Sequence, residues 1–135
     1  MKTAFALTVL ILTVALYGCA DQTPPTPAEV PGTYVGKYGG GKEVFDIRTD
    51  GSFKQLLTVG TTPLYTNSGT WRIRGQFVVF DGMCRQARGQ TTAHNPGRKT
   101  DNVQGLWVIG DKGWRAISFD VDVGYQIERQ AANRK

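Results

Sequence analysis

Apolar and polar residues follow two different rules along this chain. Residues 4–17, AFALTVLILTVALY, form one uncharged and largely apolar run behind a short basic start, Met1-Lys2-Thr3. From Gly32 onward, apolar residues recur at alternate positions in short stretches rich in Val, Ile, Phe, Tyr, Trp and Thr. That repeat of two marks a strand with one buried face, and no stretch shows the 3.6-residue repeat of an amphipathic helix. The pattern predicts strands over residues 33–38, 42–48, 52–59, 69–74, 76–80, 103–109, 114–119 and 125–129. Phe45 and Ile47 share a face in the second, and Phe53, Leu57 and Val59 in the third. In the fourth, Trp71 and Ile73 point inward while Arg72 and Arg74 point outward. Turn signals separate the strands: Asp50-Gly51, Asn67-Ser68-Gly69, Gly75 and Gly110-Asp111-Lys112-Gly113. Pro63 reads as a break, which makes residues 61–65 a loop. Residues 81–102 carry no clear pattern and read as one long loop.

About eight strands in successive hairpins make an all-β fold, an antiparallel meander. Such a meander hides its edges by closing into a small barrel or folding into a sandwich. The folded domain is expected over residues 32–130, with a frayed polar tail over residues 131–135. Roughly 100 residues suffice to hide about 60–70% of the unfolded surface without staples.

The apolar run of residues 4–17 is shorter than the about 20 residues a membrane span needs, and has the length of an export-signal core. It ends in Leu16-Tyr17-Gly18-Cys19, which resembles the lipobox of bacterial lipoproteins. The resemblance implies that residues 1–18 are removed as a signal peptide. It further implies that the Cys19 thiol carries a thioether-linked diacylglyceryl group, usually with an N-acyl chain as well. Two or three chains give stable membrane attachment where one gives only marginal binding. The implied location is the cell envelope, facing the periplasm or exterior. Ala20 after the lipidated residue resembles sorting to the outer membrane, where the cell has one. Residues 19–31 hold four of the six prolines and no apolar repeat. They read as a semi-rigid tether of roughly 30 Å, at about 3.1 Å per residue.

The opening of the domain, Gly32-Thr33-Tyr34, resembles the Gly-x-Trp of the first strand in lipocalin-like (calycin) barrels, with Tyr in place of Trp. The resemblance implies a barrel and leaves the ligand open.

Charge and chemistry then narrow the function. The net charge is +5, from 16 Lys and Arg against 11 Asp and Glu. An excess of that size favours anionic surfaces, weakly and in a salt-dependent way. Nucleic acid is not expected as a partner of an exported protein that carries no motif for it. With Cys19 lipidated, Cys84 has no disulfide partner. Arg85, Arg88, Arg98 and Lys99 cluster in the long loop with only Asp101 to offset them. They are the candidate binding residues, for an anionic envelope polymer or an envelope protein. His94 lies in the same loop, and with Cys84 and Asp81 or Asp101 it would supply the parts of a hydrolase. An exposed His94 and a buried, inert Cys84 are the simpler reading.

Residues 36–43 approach a phosphate-binding loop, but Glu43 stands where Ser or Thr must hold magnesium, and a strand rather than a helix follows. Asp120 and Asp122, with Asp111 or Glu128, lack the dense oxygen ligands of a calcium loop. No catalytic set, metal or cofactor is therefore expected. The sequence reads as a monomeric, non-enzymatic binding or scaffolding domain held on the membrane through acyl chains on Cys19. A lipocalin-like carrier of a small apolar ligand and an envelope hydrolase are the alternatives.

Overall fold

The computed structural model describes residues 23–38, 41–85, 98–120, 122 and 124–131, with backbone alone for Tyr38 and Arg98. Residues 1–18, expected above to be an export signal, Cys19, Arg88, His94 and residues 132–135 lie outside the described residues. The strands are β1 (Gly32–Tyr38), β2 (Gly41–Ile47), β3 (Ser52–Val59), β4 (Thr62–Arg74), β5 (Phe77–Asp81), β6 (Met83–Arg85), β7 (Arg98–Thr100), β8 (Val103–Ile109), β9 (Arg115–Asp120) and β10 (Tyr125–Arg129). Eight of them close a barrel in the order β1-β10-β9-β8-β5-β4-β3-β2, while β6 and β7 pair only with each other. All pairings are antiparallel. The meander thus closes as a barrel rather than a sandwich, and closure leaves its strands without free edges. We call the end where β1 begins the lower end, and the end carrying β6 and β7 the upper end.

Alternation fills the interior. Tyr34, Phe45, Phe53, Phe80, Trp107, Ile117, Tyr125 and Ile127 are buried from successive strands, as strict inward-outward repeats require. Phe80 is the hub, with ring centroids 5.2 Å from Phe53, 5.7 Å from Phe45 and 5.7 Å from Phe119. Tyr125 adds a ring 5.1 Å from Phe119. Each fully buried ring contributes about 1.5–3 kcal/mol through the area it removes from water. Inward glycines make the room. A methyl on Gly69 would fall on the Asp81 carbonyl and the Phe53 ring, and one on Gly105 on Ile117 and Phe119.

Four expectations changed. Asn67-Ser68-Gly69 is not a turn and Pro63 does not break a strand: β4 runs from Thr62 to Arg74 through both. The proline is its second residue, beside a register shift between Leu57 and Thr58 of β3, and a strand start next to a bulge is where proline is tolerated. The long loop of residues 81–102 is built at its base as the β6–β7 hairpin. Finally, residues 26–31 are not an extended spacer. Glu29 N–H donates to the Thr26 carbonyl at 3.0 Å, and the Glu29 carboxylate accepts from Thr26 N–H at 2.8 Å and from its hydroxyl at 2.9 Å. Those bonds to Thr26 hold the Glu29 carboxyl below its usual pKa.

This turn delivers Val30, fully buried, to the lower end of the barrel. The Tyr34 hydroxyl donates to the Val30 carbonyl at 2.6 Å. Arg129 donates to the Glu29 carbonyl at 3.0 Å and to the Pro31 carbonyl at 2.7 Å. Gly32 is needed beside this clamp, because a Cβ there would sit 2.8 Å from the Arg129 Nε. Burial pushes the Tyr34 hydroxyl up to about 12, against the opposing charges of Arg129 and Arg115.

Phe80→Ala should cost about 3–5 kcal/mol in urea unfolding, since it empties the hub of the interior. Tyr34 should ionise about two pH units above a free tyrosine, and Tyr34→Phe should remove that late step from the tyrosinate absorbance titration. Because burial favours its neutral form, its contribution to stability is complete below pH about 10 and disappears as pH rises through about 12.

Candidate functional site

The upper end of the barrel carries polar residues at positions that alternation assigns to the interior. Glu43 shares the inward face of β2 with Phe45, and Gln55 that of β3 with Phe53; both are buried. A buried carboxylate or amide survives only when its hydrogen bonds are made. The Glu43 carboxylate accepts from Gln55 Nε2 at 2.5 Å and from the Tyr125 hydroxyl at 2.9 Å, with the Tyr65 hydroxyl at 3.4 Å. Gln55 in turn meets the backbone of β6 as a strand would. Its Nε2 donates to the Cys84 carbonyl at 2.7 Å, and its Oε1 accepts from the Cys84 N–H at 2.9 Å. Asn67 Nδ2 donates to the Gly82 carbonyl at 2.5 Å and to Gln55 Oε1 at 3.2 Å.

The base of the hairpin is tied as well. Asp101 accepts from the Gly82 N–H at 2.7 Å, and Asp81 from the Asn102 N–H at 2.7 Å. Arg72 pairs with Asp81 and donates to Asn102 Oδ1 at 3.2 Å. Gly82 takes a φ of +78°, which favours glycine at the corner between β5 and β6. Met83 is fully buried beneath the hairpin. The β6–β7 hairpin is therefore a fixed platform above the barrel mouth, held mainly through side-chain amides.

This platform brings together part of the predicted basic set. The register sets Arg85 opposite Arg98, Cys84 opposite Lys99 and Met83 opposite Thr100. Arg85 and Lys99 are exposed. Arg88 lies outside the described residues, as does His94. The exposed Arg85 and Lys99 thus stand on one hairpin at the upper end.

The acids expected near a nucleophile have structural work instead, since Asp81 and Asp101 accept backbone N–H bonds. Burial pushes the Cys84 thiol up, with Glu43 adding to this and Lys99 opposing it, whereas a nucleophilic thiol needs the opposite shift. Asp120 accepts from the Asp122 N–H at 3.1 Å and makes a local turn. Among the described residues no three His, Cys, Asp or Glu side chains are grouped to hold a metal ion.

Sequence reasoning missed Glu43, Gln55, Asn67 and Tyr65. A signal was present for the first two, because a repeat of two that buries Phe45 and Phe53 also buries the residues two positions away. Compared with known proteins, the chain matches no family model, no curated protein and no solved structure at a significant level.

Gln55→Ala should cost about 2–3 kcal/mol, because it strands the Cys84 peptide and takes one donor from the buried Glu43 carboxylate. Its signature should be loss of hydrogen-exchange protection at the Cys84 amide ahead of the barrel strands. At pH 8, iodoacetamide should modify Cys84 more slowly in the native chain than in Gln55→Ala.

Proposed function

We propose that this chain is a lipid-anchored envelope protein, acylated at Cys19 after removal of residues 1–18. Its β barrel presents a basic hairpin to an anionic partner and performs no chemistry of its own. The location rests on the lipobox resemblance of Leu16-Tyr17-Gly18-Cys19 behind a short apolar run. The binding role rests on one observation above all: Arg85 and Lys99 are both exposed on a hairpin fixed at the upper end, where the backbone register sets Arg98 opposite Arg85. Residues 26–31 join the barrel at the opposite end, through the Arg129 and Tyr34 bonds. An anchor before those residues therefore leaves the cationic hairpin pointing away from the membrane, toward soluble or cell-wall partners. A guanidinium suits carboxylate, phosphate or sulfate groups, which it grips with two parallel hydrogen bonds, and an ammonium adds a point charge beside it. An anionic envelope polymer repeats such groups and matches a small, rigid cationic platform better than an internal apolar ligand does. The interior is already occupied by the packed rings of Phe45, Phe53, Phe80, Phe119 and Tyr125.

Metabolic labelling with a fatty-acid analogue should mark the native chain and leave Cys19→Ser unmarked; equal labelling sinks the anchor. For the hairpin, the chain should be retained on an immobilised sulfated polysaccharide and eluted by salt. Arg85→Glu combined with Lys99→Glu should elute at clearly lower salt while melting at an unchanged temperature. Unchanged retention would sink the assignment of the hairpin.

A further inference from the structure

We propose that the lower end of the barrel rests on the bilayer that holds the acyl chains of Cys19, with Ile109 and Trp114 at the interface and neighbouring cations on anionic phospholipid headgroups. The inference rests on the lipoprotein reading and adds a second membrane contact to it.

Chain length is the first argument. Pro25 is already buried in the folded body. It stands six positions after Cys19, and a fully extended chain advances at most about 3.6 Å per residue. An acylated Cys19 therefore stands within about 22 Å of the barrel, whatever the path of the chain between. The residues that follow it cross the lower end, where Arg129 grips Glu29 and Pro31. It is thus the lower end that the anchor draws to the membrane.

The surface of that end is the second argument. Among the described residues the exposed large apolar side chains are Ile109, 50% exposed, and Trp114, 37% exposed. Both flank the β8–β9 turn at the lower end. Single exposed apolar residues are ordinary on protein surfaces. Two of them flanking one turn, on the face that the chain length sets toward lipid, are a different matter. Tryptophan in particular favours the headgroup region, where its ring is buried and its N–H stays wet. Between them Lys112 occupies the turn with a φ of +59° and is exposed.

Charge is the third argument. An open groove of about 1210 Å³ runs from the turn up the outer wall of β1 and β2, lined near the turn by Lys112, Arg115, Arg129 and Trp114 with the acid Asp111, and toward the upper end by Lys42. Arg115 is held loosely there. Its Nη1 lies 3.4 Å from the Gly113 carbonyl and its Nη2 3.9 Å from the Glu29 carboxylate. Its buried Nε has no hydrogen-bond partner among the described residues. A lipid phosphate at the groove would give the loosely held terminal nitrogens of that guanidinium a charged acceptor. Each Lys or Arg near an anionic bilayer strengthens binding by about fivefold, falling off over a Debye length.

The test uses the chain purified from membranes and reconstituted on vesicles of phosphatidylcholine with or without phosphatidylglycerol. Trp71 and Trp107 are buried, so tryptophan quenching by brominated acyl chains reports chiefly on Trp114. The expected result is at least twofold stronger quenching on phosphatidylglycerol vesicles than on phosphatidylcholine alone. It should be lost in Trp114→Phe and weakened by high salt or by Lys112→Glu. A chain that stays on the vesicles while Trp114 remains open to aqueous acrylamide and unquenched by brominated lipid overturns the docking inference alone. A native chain that behaves like Cys19→Ser, leaving the vesicles in high salt, overturns the anchor and the docking inference with it.

Discussion

The guanidinium of Arg129 donates from both terminal nitrogens to the carbonyls of Glu29 and Pro31, and closure of the barrel depends on that grip. A closed barrel requires its first and last strands to meet, and here the seam is short. β1 pairs with β10 at Tyr34↔Arg129 and Val35↔Glu128, whereas β1 and β2 pair from Gly32↔Ile47 through Tyr38↔Gly41. The seam also joins the segments farthest apart in sequence, so it bears the largest loop-closure cost. Arg129, the Tyr34 hydroxyl on the Val30 carbonyl and the Gln130 N–H on the Thr33 carbonyl, at 2.8 Å, reinforce it from one side. Hydrogen bonds to a charged donor contribute about 1.5–3 kcal/mol each, enough to turn a marginal pairing into a stable one.

The two mouths of the barrel are closed by opposite means. Below, the chain before β1 lays its own backbone across the opening, and side chains of β1 and β10 hold its carbonyls. Above, the chain between β5 and β8 leaves the barrel, forms a hairpin and is held from beneath by the amides of Gln55 and Asn67. In both places a side chain does what a neighbouring strand does elsewhere. The middle needs no such device, because aromatic rings and inward glycines fit one another there.

The sequence made the strands legible where local pattern alone decides them. β8 and β10 have the limits that alternation predicts, because Val103, Gly105 and Trp107, and Tyr125 and Ile127, are buried at every second position. The left-handed backbone at Gly51 and Gly75 was equally visible as turn signals. The lower lid left a readable trace too, since Thr26-Pro27-Ala28-Glu29 has the form of a helix-start box with proline in first position. A composition rich in proline obscured it. The upper hairpin was not legible, because β6 and β7 are three residues each and carry Cys, Arg, Lys and Thr rather than alternating apolar residues. Their pairing is fixed by Gln55, 29 residues from Cys84, and no local rule reports a contact of that range. Of the candidate site, the cations were found from composition, and the buried amides that position them were not.

Closure also sets the geography of the two ends of the chain. Gln130 hydrogen-bonds Thr33, so the last strand leaves the barrel beside the point where the first one starts. A tag or fluorescent reporter joined directly after Gln130 would emerge close to residues 26–31 and crowd that rim. The β2–β3 and β4–β5 hairpins lie at this rim as well, so insertions there meet the same crowding. The β3–β4 connection at Gly60, exposed and with open space around it, is the roomier place to graft one.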